Sequence, residues 1–158
     1  IVALEDANEW LAEKKLIKME KKKPSRPDSS LILPYIEQGK RRGAQSINGV
    51  ILQASIDPTH PVCYGIHSGK MPVFRTNKLI CEKTGDPYSS PVMIGENPLL
   101  SGYLSDENRK MLEHSLWCQV YDRGAGSIIS FFDDPNFRAF WYGTNKLFLN
   151  AIFYGGIL

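Results

Sequence analysis

The polar run at residues 57–64 carries side chains that could do chemistry. It reads Asp57-Pro58-Thr59-His60-Pro61, with Tyr64 three positions further on. Pro61 restricts His60 to an extended backbone, and Asp57 and Thr59 suit hydrogen bonds to nearby backbone N–H groups. Two interpretations follow. The run is either a rigid turn whose His60 is tied to a neighbour, or a ligand or domain-contact groove lined by Asp57, His60 and Tyr64.

Two further sets of polar residues lie where strands are expected to end. Arg75 and Asn77 could line a pocket, or form a strand-end corner with solvated polar groups. Asp134 and Arg138 flank the predicted start of a helix, which could accept an anion. In the alternative interpretation Asp134 caps that helix and Arg138 pairs with an acid. An aspartate already in place would repel an anion.

The histidines and cysteines do not form a metal-binding pattern. A His-x-x-Glu zinc-ligand pair is absent, since Cys63 and Lys70 lie three residues after His60 and His67. The three cysteines are widely spaced and contain no Cys-x-x-Cys pair. The sequence therefore predicts no metal site and no cofactor within this chain, and at most one disulfide.

The elements that must position these residues alternate between strand and helix. Strands are predicted near residues 1–4, 47–56, 73–74, 78–82, 92–94, 117–121 and 127–132, and helices near 7–19, 34–42 and 105–114. Capping signatures at Asp6 and Ser105 mark the starts of the first and third of these helices. A last helix should begin at Asp134 and Pro135, because a carboxylate caps free N–H groups and proline suits the first helical position. This order predicts an α/β fold with a mixed sheet and one hairpin at residues 123–126.

Composition and charge set limits on the class of protein. The 158 residues are 42% hydrophobic, which suits one globular domain over residues 1–158. We expect a mobile basic loop at about residues 20–31, which holds Pro24 and Pro27. The net charge of +2 is too small to predict a nucleic-acid partner. No run of eighteen apolar residues predicts a membrane span.

Four segments together carry a family resemblance. The largest, at residues 134–152, reads Asp-Pro-Asn-Phe-Arg-Ala-Phe-Trp-Tyr-Gly-Thr-Asn-Lys-Leu-Phe-Leu-Asn-Ala-Ile. The others are Ala-Gln-Ser-Ile-Asn-Gly at 44–49, Ile-Asp-Pro-Thr-His-Pro-Val-Cys-Tyr-Gly at 56–65, and Pro-Val-Phe-Arg-Thr-Asn at 72–77. As a set they resemble the C-terminal domain of large bacterial zinc carboxypeptidases related to carboxypeptidase A. That domain is similar in fold to class I glutamine amidotransferases.

The resemblance implies a three-layer, flavodoxin-like or class I glutamine amidotransferase-like mixed sheet that lacks its N-terminal strands. Active members of that fold need a cysteine on a sharp strand-to-helix turn with small neighbours. That position falls here at or near Glu5 or Asp6. The partner histidine would follow a late strand, where this chain has Asp133 and Asp134. The resemblance therefore implies a non-catalytic copy of the fold.

The resemblance also implies a larger parent protein. The parent would be a secreted or periplasmic zinc carboxypeptidase, and its catalytic domain, with the zinc, would lie upstream in the same polypeptide. This chain would be an accessory domain that positions the catalytic domain or its substrate. Contacts within a homo-oligomer remain an alternative use of its surface.

Two other classes of function stay open from the residues alone. One is a hydrolase that uses the carboxylates of Glu5, Asp6 and Asp134, which would require a shared pocket and a raised pKa. The other is a ligand-binding or carbohydrate-binding module built on Phe140 and Trp141. At helical spacing, such residues are more often core.

Overall fold

A computed structural model describes residues 1–23, 32–44 and 46–158. Within these residues the strands are β1 Val2–Leu4, β2 Glu20–Lys21, β3 Val50–Ile56, β4 Lys70–Arg75, β5 Cys81–Glu82, β6 Val92–Ser101, β7 Leu116–Arg123 and β8 Gly126–Phe131. The helices are α1 Ala7–Glu13, α2 Gln38–Ala44, α3 Asp106–Leu112 and α4 Asn145–Tyr154. The predicted α/β class is confirmed.

The main sheet has six strands in the order β1-β8-β7-β6-β3-β4. Strand β1 pairs parallel with β8, and every other neighbouring pair is antiparallel. The prediction of a mixed sheet is therefore confirmed. The alternating directions place the carboxyl ends of β1, β8, β6 and β4 at one edge of the sheet, and the carboxyl ends of β7 and β3 at the opposite edge.

The sheet is curled. Strands β4 and β8 are separated by three others, so a flat sheet would hold them about 19 Å apart at ordinary strand spacing. The Arg75 side chain, at the end of β4, nevertheless reaches Asp133, two residues beyond β8, at 3.0 Å. The carboxyl ends of the two strands therefore converge on one place.

Helices α1 and α4 cover opposite faces of β8. Ile128 belongs to a small apolar cluster with Leu11 of α1. The next residue, Ile129, belongs to the large core cluster with Leu147 and Ala151 of α4. Because successive strand side chains point to opposite faces, the two clusters lie on either side of the sheet. Burial of such a side chain stabilises the fold by roughly 1.5–3 kcal/mol.

Two local predictions are confirmed in detail. Ser105 caps α3, because its Oγ accepts a hydrogen bond from the Asn108 backbone N–H at 3.2 Å. Arg123 and Gly126 pair at the end of the β7–β8 hairpin. Gly124 there has a φ of +63°, a conformation that glycine adopts without steric cost.

The predicted start of the last helix at Asp134 is wrong. A single 3-10 turn covers Phe137–Ala139, and α4 begins only at Asn145. Arg138 and Ala139 have φ values of +50° and +53°, which are incompatible with a continuing right-handed helix. The aromatic residues of this segment instead surround Phe74, and Phe140 is 57% exposed rather than part of the core.

Helix α1 is shorter than predicted and lacks its predicted cap. The Asp6 side chain makes no capping hydrogen bond. The helix ends because Lys15 adopts a left-handed φ of +59°. The Leu16 N–H then bonds the Leu11 carbonyl, and the Lys15 N–H bonds the Ala12 carbonyl, each at 2.9 Å. This pair of bonds is a Schellman motif, which usually uses glycine and so gave no signal in the sequence.

The first residues of the predicted loop at 20–31 form part of a small two-stranded sheet instead. Glu20 and Lys21 form β2, which pairs antiparallel with β5. The Lys22 N–H adds a bond to the Ile80 carbonyl at 2.8 Å. The rest of that prediction, at residues 24–31, lies outside the described residues.

Candidate functional site

The convergent strand ends bring together five polar residues that we call the carboxylate cluster. Its members are Glu5, Asp133, Asp134, Arg75 and Asn77. Glu5 follows β1, and Asp133 and Asp134 follow the parallel neighbour β8. Because the carboxyl ends of parallel strands meet at the same edge, these residues become neighbours despite their separation in sequence. Three of the predicted candidates, Arg75, Asn77 and Asp134, meet here.

Glu5 occupies a sharp turn between β1 and α1. Its φ is +45°, in the left-handed region that costs a residue with a Cβ atom roughly 1–2 kcal/mol. Two groups hold the turn in place. The Glu5 N–H donates to the Phe131 carbonyl at 2.9 Å, and the Asn8 amide donates to the carbonyls of Glu5 (3.0 Å) and Phe131 (2.8 Å). The turn has the strand-to-helix form that, in nucleophile elbows, exposes a reactive side chain.

Arg75 and Asp133 form a buried ion pair at the centre of the cluster. Arg75 is 0% exposed and Asp133 is 1% exposed, with Nη1 and Oδ2 3.0 Å apart. Arg75 also donates to the Leu79 carbonyl, and Asn77 donates to the Phe132 carbonyl. The interpretation of Arg75 as a solvated strand-end group is therefore wrong, because its guanidinium ties β8 to the segment after β4.

The cluster is short of positive charge. Burial raises the pKa of Asp133 to about 7, since it outweighs the opposing effect of Arg75, and the charges of Glu5 and Asp134 add to the rise. Burial, Asp134 and Asp6 likewise raise the pKa of Glu5. Oδ1 of Asp133 is buried without a hydrogen-bond partner in the described part of the chain. The cluster can therefore retain a proton near neutral pH, which is a property of general acids.

Three more of the predicted candidates, Asp57, His60 and Tyr64, lie at the opposite edge of the sheet, after β3. Asp57 accepts hydrogen bonds from the N–H (2.9 Å) and hydroxyl (2.6 Å) of Thr59, which lower its pKa. His60 is partly buried and its Nδ1 accepts the Val62 N–H at 3.2 Å. Tyr64 is 63% exposed. The turn is tied, as the first interpretation predicts. His60 and Tyr64, but not Asp57, line a concave surface of about 420 Å³, and its use by a ligand or domain stays a prediction.

Asp134 and Arg138 do not form an anion-accepting helix start. Asp134 accepts the Asn136 N–H at 2.8 Å, which closes a local turn and caps no helix. Arg138 makes no ion pair among the described residues. Its guanidinium instead lies 5.1 Å from the centre of the Phe137 ring.

None of the three cysteines has the environment of a reactive thiol. Cys63, Cys81 and Cys118 are buried and unpaired in the structure as described. Burial raises the pKa of Cys63 and of Cys81 to about 12, and raises that of Cys118 well above its ordinary value. Because the thiolate is the nucleophilic form, these side chains are poorly suited to covalent catalysis.

The sequence does not identify Asp133 as a member of the cluster, or Asn8 as the residue that supports the Glu5 turn. The family resemblance marks Asp133 only as a place where a histidine is absent, although an acidic pair after an apolar strand is itself unusual. Asn8 is 0% exposed on the inner side of α1, and a buried asparagine in the first turn of a helix is a usable signal. Its hydrogen-bond partners lie 3 and 123 residues away, and only the first could be guessed.

Comparisons with known proteins do not identify the chain. No family model, no curated protein and no solved structure matches it. No helix among the described residues is long and apolar enough to cross a membrane. Across the same residues, no group of three His, Cys, Asp or Glu side chains could hold a metal ion.

Proposed function

We propose that this chain is a non-catalytic accessory domain with an amidotransferase-like fold, part of a secreted or periplasmic zinc carboxypeptidase. The observation that supports the first half is the buried Arg75–Asp133 ion pair after β8. The resemblance assigns the base of an active enzyme to this place in the chain. The domain would position the upstream catalytic domain or its substrate. The parent's zinc would be held upstream, and no step proposed for this chain involves the metal.

The neighbouring turn supports the same proposal. Glu5 has a left-handed backbone at the turn where the resemblance would place a nucleophile, but its side chain is a carboxylate rather than a thiol. The three cysteines are buried elsewhere, with raised pKa values. An amidotransferase mechanism would need a thiolate at this turn and a histidine beside it. The second half of the proposal, the carboxypeptidase parent, rests on the sequence resemblance.

The test of this function starts from the full gene product. Its intact mass and zinc content are measured by mass spectrometry and elemental analysis, together with release of C-terminal residues from a peptide. The proposal expects a chain much longer than 158 residues that binds zinc and has carboxypeptidase activity. A gene product no longer than this chain, or a long product without zinc, would contradict it.

One observation favours a second candidate, a carboxylate-based hydrolase. The pKa values of Glu5 and Asp133 are raised, as a general acid requires. The inaccessibility of Asp133 speaks against it, because a substrate would have to reach this carboxyl group. Hydrolysis of 4-nitrophenyl acetate by the chain is the assay. If Glu5→Gln abolished turnover while the exposed control Glu13→Gln left it intact, the hydrolase would replace the accessory domain.

A further inference from the structure

One face of the sheet is open at strands β3 and β4. Alternate residues of β3, from Val50 to Ile56, belong to the main core. Gln53 and Ser55 lie between them and therefore point to the opposite face. The register places Lys70 of β4 directly beside Ser55. Gln53 is only partly buried, and Ser55 and Lys70 are exposed, so this part of the face is uncovered within the described residues.

A bulge in β6 makes this open face concave. Between the Leu52–Leu99 pair and the Ala54–Ile94 pair, two steps along β3 correspond to five steps along β6. Gly95 lies in this bulge, and a Cβ atom there would be 3.2 Å from a backbone oxygen of β3, so the strands approach too closely for a side chain without a shift. The concave surface encloses about 490 Å³, a size usual for small-molecule sites.

Two residues in the wall of this surface have left-handed backbones. Asn97 has a φ of +44° and His114 a φ of +56°, a region that few residues other than glycine adopt. The Asn97 N–H donates to Glu113 Oε1 at 3.2 Å, and the His114 N–H donates to the Ile94 carbonyl at 3.1 Å. Such conformations persist only where surrounding contacts impose them, and they are concentrated at functional sites. Here both lie in the wall of one concave surface.

Polar side chains line this surface, which we call the polar groove. They are Gln53, Ser55, Lys70, Glu96, Asn97 and His114. None of these side chains forms a hydrogen bond or an ion pair with another described residue, and Lys70 and Asn97 use only their backbone N–H groups. The amides and the hydroxyl each donate and accept, while the ammonium of Lys70 and the carboxylate of Glu96 have opposite charges. The groove therefore offers unused donors and unused acceptors together.

An aromatic cluster lies on the same face of β4. Phe74 is four residues from Lys70, which corresponds to about 13 Å along an extended strand. Its ring centre lies 6.0 Å from that of Phe140 and 5.9 Å from that of Trp141. Phe140 is 57% exposed, so part of this cluster is open to a ligand. A ligand that occupies the groove and also reaches the cluster must be extended.

We propose that the polar groove and the adjoining aromatic cluster bind a neutral oligosaccharide. Each sugar hydroxyl both donates and accepts a hydrogen bond, so a chain of sugars matches the unused donors and acceptors of the groove. The C–H face of a sugar ring is apolar and gains free energy by packing on the exposed Phe140 ring. Linked sugars span the distance from Lys70 to Phe74, which a single sugar does not.

Other ligand classes match these observations less well. An inorganic anion would be repelled by Glu96, and an organic cation would be repelled by Lys70. A free amino acid would use both charges but would leave the Phe140 ring without a contact. A second copy of the chain fits poorly, because charged residues are depleted at the centres of protein interfaces. None of the groove residues belongs to the carboxylate cluster, so this proposal does not depend on the function proposed above.

Neutral tetrasaccharides are the probes for this site: cellotetraose, maltotetraose, mannotetraose and chitotetraose. Each is titrated into the ¹⁵N-labelled chain and followed by NMR, with affinities from calorimetry. We expect at least one to bind saturably, with shifts at both the polar groove and the aromatic cluster. Glu96→Ala, Lys70→Ala and Phe140→Leu change exposed side chains, so each variant should fold and bind about threefold more weakly or worse. Glu13→Ala and Tyr88→Leu are the matched controls, because both residues are exposed elsewhere, and the affinity should not change.

Four outcomes would overturn the proposal. The first is that none of the four tetrasaccharides saturates the chain at millimolar concentration, and the second is that all three groove and cluster variants bind as tightly as the parent chain. The third is saturable binding of the dipeptide Gly-Phe in the groove without any tetrasaccharide binding, which would assign Lys70 and Glu96 to the two charged ends of a peptide. The fourth is self-association in sedimentation that Glu96→Ala abolishes and no tetrasaccharide competes with, which would assign the face to a second copy. Zinc content and peptidase activity of the gene product do not enter these results, so the two proposals fail separately.

Discussion

Replacement of Arg75 by methionine should destabilise the chain, and the loss should depend on pH. Methionine is an unbranched apolar side chain that fills much of the same space. Arg75→Met therefore mainly removes the only cation beside Asp133 in the described structure. At pH 8 the folded variant must either bury an Asp133 carboxylate without a partner or keep Asp133 protonated, and both cost free energy. Removal of one member of a buried ion pair costs about 3–5 kcal/mol. We therefore expect the free energy of unfolding to fall by that amount at pH 8.

At pH 5 the loss should be smaller. The folded-state pKa of Asp133 is raised to about 7 from an ordinary value of 3.8, so the folded state holds more protons between these values. Stability contributed by the protonated group is therefore present below about pH 4 and is lost as the pH rises through about 7. A rise of this size corresponds to about 4 kcal/mol. At pH 5 Asp133 is mostly neutral, and Arg75→Met then costs about 1–3 kcal/mol, chiefly for the carbonyl acceptors it leaves unsatisfied.

Urea denaturation between pH 4.5 and 8.5 measures both effects. Arg123→Met is the matched control, because Arg123 is exposed at the hairpin and its loss should change stability by less than about 0.5 kcal/mol. Asp133→Asn should remove most of the fall in stability between pH 4 and 7. If Arg75→Met cost less than about 1 kcal/mol at both pH 5 and pH 8, the ion pair would not hold the strand ends as described.

Three further predictions concern other parts of the chain. Lys15→Gly should stabilise the fold by about 0.5–1 kcal/mol, because glycine adopts the left-handed φ at the end of α1 without steric cost, and urea denaturation measures this. His60→Ala should lower the free energy of unfolding by about 1 kcal/mol, since the Val62 N–H loses its acceptor. Urea denaturation measures this too, and a rise in stability would contradict the role given to His60. The three cysteines should react with Ellman's reagent at pH 7.5 only after denaturation, because they are buried with raised pKa values; one fast-reacting thiol in the native chain would contradict this.

Local chemistry explains which elements could be predicted from the sequence. The cap at Ser105 and the turn at Gly124 each depend on a residue type and its immediate neighbours, and both appear as expected. The pair Asp134-Pro135 carries the same kind of signal but does not start a helix. There the carboxylate closes a local turn. Arg138 and Ala139 take left-handed conformations, which their residue types do not predict.

The candidate site was harder to predict because its contacts join distant residues. The sequence marked Arg75 as a candidate, but its partner Asp133 lies 58 positions away. Only the curl of the sheet brings the ends of β4 and β8 together, and no spacing in the sequence encodes that curl. By contrast, the tie between His60 and Val62 spans two residues and follows from the extended conformation that Pro61 imposes.

The turn at Glu5 connects the fold with the proposed loss of catalysis. A left-handed glutamate is a strained choice where glycine would cost nothing, so other contacts must hold it. Asn8 supplies them by bonding the carbonyls of both Glu5 and Phe131, which joins the turn to the end of β8. Arg75 joins the same end of β8, through Asp133, to the segment after β4. The polar side chains at this edge of the sheet are thus fixed by bonds to neighbouring strand ends, which agrees with the proposed non-catalytic role.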